Sequence, residues 1–165
     1  ELETALVQKH GLDPERARLV AGLASGSYGQ ALSWLAADMA EVRDRSVELL
    51  RKALLGLSEI AQYARKLAPK SDRDIRNAAL EMLDMLQLWV RDALLLAELG
   101  DEARDLIVNQ DHLDRLSGFS YRLSEIDFGA IFDAIDEATF QIRRNVAVSI
   151  VLAGLMGRFH RAIRR

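Results

Sequence analysis

From Asp72 to Leu99 the apolar positions Ile75, Ala79, Met82, Leu86, Trp89, Ala93 and Leu96 recur at alternating spacings of four and three. That period predicts one long helix, closed by Gly100. Leu83, Val90 and Leu94 lie beside the seam and widen it. A stripe so wide belongs to a core helix with more than one neighbour, in a globular bundle rather than a two-stranded coil. With only two prolines and ten glycines in 165 residues, an all-β or disordered chain is disfavoured, and the expected fold class is all-α.

Before that helix come shorter ones with clear ends. Glu1 to His10 reads as a helix, with Lys9 and His10 in its last turn, where cations suit the dipole, and Gly11 as its stop. Asp13 and Pro14 supply an N-cap and a first helical position for the next. Its apolar face is Ala17, Val20, Ala21 and Ala24, widened by Leu19 and Leu23. In the joint Ser25-Gly26-Ser27-Tyr28-Gly29-Gln30, Gly26 is expected at positive φ, and Ser27 and Gln30 as a capping box. Ala31, Leu32, Trp34 and Leu35 continue as a third short helix. No proline or glycine breaks the pattern from Ser33 to Leu55, and a domain boundary is placed near Asp38. Val42, Ser46, Leu49 and Ala53 carry the next stripe. Gly56 is expected to interrupt it only weakly before Ile60, Tyr63, Ala64 and Leu67, and Pro69 stops it. Ser71 and Asp74 form a second expected capping box.

Beyond Gly100, Asn109 is expected in a loop and Asp111 as a cap. Leu113, Leu116, Ser120 and Leu123 give a thin apolar face, weakened by Gly118. Phe128, Ile131, Phe132, Ile135, Ala138 and Ile142 give a strong one, with Arg143 and Arg144 in its last turn and Asn145 at its end. A final helix turns Val148, Leu152, Leu155, Phe159 and Ile163 inward.

Several stretches of this pattern resemble a known family. Leu23-Ala-Ser-Gly-Ser-Tyr-Gly-Gln-Ala-Leu32 looks like the lid helix of AAA+ clamp-loader subunits. Trp89-Val-Arg-Asp-Ala-Leu-Leu-Leu96, a following glycine, and Val108-Asn-Gln-Asp111 resemble the collar domain of the delta-prime subunits of bacterial DNA polymerase III. So does a helix ending Arg143-Arg-Asn-Val146 paired with a last apolar helix. The family often has a proline and a basic residue soon after that asparagine, where this chain has Val148 and Ser149. The resemblance implies a three-helix AAA+ lid over residues 1–38 and a helical collar over 39–165.

It also implies a function. Nucleotide-hydrolysing relatives carry a sensor 2 arginine where this chain has Gly29, so no nucleotide contact, cofactor or catalysis is expected from this piece. The implied partners are other clamp-loader subunits, gamma/tau and delta, met through the collar. The sliding clamp and primer-template DNA are involved only indirectly. An ATP-hydrolysing gamma/tau subunit would instead have the arginine, and an unrelated helical binding module would need no AAA+ domain. Beginning at Glu1 within a helical pattern, the chain is expected to belong to a longer protein.

The remaining constellations have plainer explanations. No cysteine is present, so disulfides and thiolate metal sites are excluded, which fits a reducing cytoplasm. No Walker A sequence occurs. His10, His112 and His160 are scattered. Asp111-His112-Leu-Asp114 reads better as a helix start than as metal ligands, so no metal is expected. Asp133, Asp136 and Glu137 read as a solvated helix face rather than an acid–base cluster. Trp34 and Trp89 sit at core spacing rather than as base-stacking platforms. Arg158, Arg161 and Arg165 share one face, near Arg164 and His160, and could meet phosphate or an acidic partner. A net charge of −3 supplies no global attraction to nucleic acid. No apolar run approaches a membrane span, and no membrane partner is expected.

Overall fold

Capping and glycine signals set the helix ends. The computed structural model describes residues 1–24, 26–66, 72–122 and 127–163, and the chain is all-α, with no strand among the described residues. In chain order the helices are α1 (Leu2–His10), α2 (Pro14–Leu23), α3 (Tyr28–Ala36), α4 (Met39–Leu55), α5 (Leu57–Lys66) and α6 (Asp72–Leu99). Two 3-10 segments follow, Gly100–Leu106 and Gln110–His112, and then α7 (Leu113–Arg122), α8 (Phe128–Arg143) and α9 (Val148–Ile163).

Most of the local signals act as the residues dictate. Gly11 takes φ 64° and donates its N–H to Val7, closing α1. Asp13 caps α2 by accepting from the Arg16 N–H at 2.9 Å. Asp127 caps α8 in the same way, from Ala130 at 2.9 Å, and Asn145 ends that helix at φ 66°. Gly26 lies at φ 85°. The capping box beside it is only half made. Ser27 Oγ accepts from Gln30 N–H at 3.4 Å, but the Ser27 N–H donates to the Ala24 carbonyl at 2.8 Å, so Gln30 has no donor left to meet.

Other expectations are corrected. Gly56 does not interrupt weakly: at φ 128° it separates α4 from α5 altogether. The run from Ser33 to Leu55 also breaks, at Ala37, which is extended (ψ 146°) without proline or glycine; its N–H has closed onto Trp34 in a tighter turn. Asp111 lies inside the 3-10 turn, and α7 starts only at Leu113. Gly100 ends α6 at φ 56°, yet the chain coils on as a 3-10 segment. The Ser71–Asp74 capping box, the Pro69 stop and the apolar positions Leu67 and Leu123 lie outside the described residues.

The chain divides into two compact units, Glu1–Met39 with Leu88–Arg122, and Ala40–Gln87 with Leu123–Arg165. Residues 1–38, expected to form a lid, therefore share a unit with residues 88–122 of the expected collar. The reason lies in small-residue packing. Gly22 on α2 leaves room for Val108: a Cβ there would lie 3.2 and 3.3 Å from its two methyl groups, and 3.6 Å from Leu88. Leu6, Val20, Ala24, Ala31, Trp34, Trp89, Val90, Ile107 and Leu116 are buried in this unit. Across its surface His10 Nε2 meets the Tyr28 hydroxyl at 2.8 Å.

The second unit is built on the first half of α6. Ala79, Met82, Leu83, Met85 and Leu86 are buried, each larger side chain contributing roughly 1.5–3 kcal/mol. Ile131, Ile135, Ala138 and Ile142 of α8, and Leu152, Leu155, Met156 and Phe159 of α9, complete that core. Ser46 sits within it on α4. Its hydroxyl is shared between the Val42 carbonyl at 2.8 Å and the Met82 carbonyl at 2.9 Å, which satisfies it without a side-chain partner.

Candidate functional site

The most fully built polar group in the chain is Asp92, an acid with no exposed surface in the leucine-rich half of α6. Its Oδ2 accepts from the Val108 N–H (3.1 Å), the Asn109 N–H (2.8 Å) and Asn109 Nδ2 (2.8 Å). Arg91 donates to its Oδ1 at 3.0 Å. Burial pushes the Asp92 carboxyl above the usual aspartate range, opposed by the Asn109 backbone and side chain, then by Arg91 and Val108. Asn109 is itself fully buried, and its Oδ1 has no hydrogen-bond partner.

This arrangement is a clasp. Between the 3-10 segment Gly100–Leu106 and the turn Gln110–His112 the chain leaves regular structure, so the N–H groups of Val108 and Asn109 have no helical acceptor. Asp92 accepts from both, which pins the loop to α6 and sets Val108 over Gly22. His112 lies against Trp89, ring centroids 5.9 Å apart, one turn along α6 from Asp92. Asp92 and Asn109 lie in the two stretches that carry the collar resemblance, Trp89–Leu96 and Val108–Asp111. Sequence reasoning quoted both stretches but did not pair these residues. The available signal was an acid set among Trp89, Val90, Leu94 and Leu95, where only a partnered carboxylate is tolerated.

The other candidates scatter. Gly29 is exposed in the first turn of α3, and a Cβ there would meet only Ser27 Oγ, at 4.0 Å. The position has room for a Cβ but offers no charge. Arg158 and Arg161 are exposed on α9, whereas Arg165 and Arg164 lie outside the described residues. Arg161 runs back along its helix to 3.9 Å from the Cβ position of Gly157.

His160 does not join the two arginines. Its Nδ1 lies 2.9 Å from the Ala53 carbonyl, near the end of α4. A carbonyl only accepts, so Nδ1 carries the proton and donates it to a helix end whose last carbonyls run out of helical donors at Gly56.

Asp133 and Asp136 are exposed. Glu137 accepts from Gln141 at 2.6 Å, and Asp136 from Gln87 at 3.5 Å, so the three acids do not converge on a common point. Asp111 lies 3.7 Å from His112. Among the described residues no three His, Asp or Glu are grouped to hold a metal ion. No helix there is long and apolar enough to cross a membrane. Trp34 and Trp89 are buried.

No protein-family model, curated protein or solved structure matches the chain.

Proposed function

We propose that the chain is the lid and collar of a delta-prime-like clamp-loader subunit, a non-catalytic piece of a longer cytoplasmic protein. Through its collar it would hold a place beside gamma/tau and delta subunits, so that a preceding AAA+ domain acts on a neighbour's ATP. It would meet the sliding clamp and primer-template DNA only indirectly. The observation that supports this reading is the clasp. Two of the separated stretches that resemble the family, Trp89–Leu96 and Val108–Asp111, meet in one buried hydrogen-bonded group, through Asp92 and Asn109. A buried clasp of this kind holds a loop in a fixed place. Gly29, exposed and without a side chain, supports a role that does not sense nucleotide.

The test mixes the chain with the folded collar of a gamma/tau-type subunit and follows complex formation by sedimentation at low and high salt. A complex that tolerates salt is expected, because collar contacts rest on apolar burial. Absence of a complex at tens of micromolar, on the scale of weak association, would reject the reading. Calorimetry with magnesium ATP should show no heat above dilution, and saturable binding would favour a gamma/tau-type piece instead. Binding to primer-template DNA that is lost at moderate salt would favour direct phosphate contact by Arg158 and Arg161. The grouping of residues 88–122 with 1–39 favours a second reading, an unrelated helical protein-binding module.

A further inference from the structure

Two exposed surfaces of the chain carry apolar side chains and opposite charge. The first is the α8–α9 joint. Phe140, Val146 and Ile150 are 54, 39 and 68% exposed. The Arg144 guanidinium lies over the Phe140 ring, 5.1 Å from its centroid. From Phe140 to Ile150 there are two arginines, Arg143 and Arg144, and no acid. Asp84 offsets part of the Arg143 charge. The joint is fixed by its backbone: Asn145 sits at φ 66° and the Val146 N–H donates to the Gln141 carbonyl at 3.0 Å. Its apolar groups are therefore held outward by a set turn.

The second surface is the 3-10 segment Gly100–Leu106 with the residues flanking it. Leu99 and Leu106 are 43 and 50% exposed. Glu98, Asp101, Glu102 and Asp105 against Arg104 give a net −3 from Glu98 to Leu106. Asp101 is engaged by Arg104 at 3.0 Å. Glu102 and Asp105 are exposed and have no ion-pair partner among the described residues. This segment too is anchored, by buried Ala103 and Ile107 and by Gln110 Nε2 donating to the Arg104 carbonyl at 3.1 Å.

We infer that a second copy of the chain docks its acidic segment Gly100–Leu106 onto the basic, apolar α8–α9 joint, head to tail. Leu99 and Leu106 would cover Phe140, Val146 and Ile150. Glu102 and Asp105 would face Arg144, whose guanidinium lies over the Phe140 ring. Two different surfaces meet, so the contact is heterologous, and each copy keeps one free face of each kind. The inference stands on these two surfaces and not on the clamp-loader reading.

Sedimentation velocity of the full chain over a concentration series tests it. Reversible association is expected, with Kd on the order of tens of micromolar for a small interface, weakening several-fold in high salt. Ile150→Asp and Leu106→Lys each alter an exposed side chain, so circular dichroism should be unchanged while each variant alone stays monomeric. Mixed together they should form a one-to-one dimer, because one supplies an intact acidic segment and the other an intact joint. A wild-type chain that stays monomeric at about ten times that Kd overturns the inference. So does association that survives either substitution, and so does a mixture that fails to pair.

Discussion

Replacing Asp92 separates two effects that oppose each other in the clasp. In Asp92→Ala the N–H groups of Val108 and Asn109 and the Asn109 amide lose their shared acceptor in a buried place. Each unsatisfied donor costs about 1–3 kcal/mol. Removing the carboxylate also relieves its desolvation, so the net loss is about 3 kcal/mol rather than the full sum. Asp92→Asn keeps an oxygen that can accept from the two backbone N–H groups, and gives up the charge that burial disfavours. Its cost at neutral pH is therefore about 1 kcal/mol or less. The sign with pH follows from the raised carboxyl. The folded state holds the Asp92 proton more tightly than the unfolded chain, whose value is about 3.9. Stability from this group is thus full below that pH and is lost as pH rises through the folded value. Urea melts of the wild type and both variants at pH 4.5 and pH 7 provide the assay. The gap between the wild type and Asp92→Asn should narrow as pH rises. A gap that widens would show that the hydrogen bonds outweigh burial, and an asparagine variant as damaged as the alanine would refute the division of costs.

Gly26→Ala should destabilise by about 1 kcal/mol, because φ 85° strains any L side chain, while Gly29→Ala in an open helical turn should be neutral or stabilising; thermal melts that rank them the other way reject the assignment. His160→Ala should cost about 1 kcal/mol by uncapping α4, and His160→Gln, which can still donate to the Ala53 carbonyl, should recover part of it; equal melts for both would show that the hydrogen bond contributes nothing. A chain cut to residues 40–165 should keep the second unit but lose amide-exchange protection across Leu88–Arg122, whose cover is the first three helices. Undiminished protection there would instead support residues 39–165 as one autonomous domain.

Local chemistry was legible in the sequence wherever a residue acts on its own neighbours. The stripe of α6 could be read because one period runs the whole length of the helix, and the caps at Asp13 and Ser27 because each reaches only three residues. Gly56 was misjudged for the opposite reason. A glycine in a helical pattern is tolerated or breaks it according to what the next helix packs on, and α5 packs on α9, far along the chain. The clasp joins residues 17 apart, and the His160 cap joins residues 107 apart. Neither distance leaves a periodic mark. The basic face read on α9 treated His160 as a neighbour of Arg158 and Arg161, whereas a helix end elsewhere draws it inward.

Both units are discontinuous in the chain, and this orders their completion during synthesis. The helices α1 to α3 emerge first and pack on one another, but their unit is completed only when residues 88–122 have been made. Helices α4 and α5 emerge next, with the first half of α6 soon after, but their unit is completed only with residues 123–165. At roughly 5–20 residues per second, those last 43 residues take a few seconds, during which Leu49, Leu50 and Ile60 have no finished core to enter. A ribosome that slows before α8 would lengthen the exposure of α4 and α5 while leaving the first unit free to close. Holding chaperones should therefore engage nascent chains that have reached about residue 125 through these helices, and release them as α9 emerges to bring His160 to Ala53.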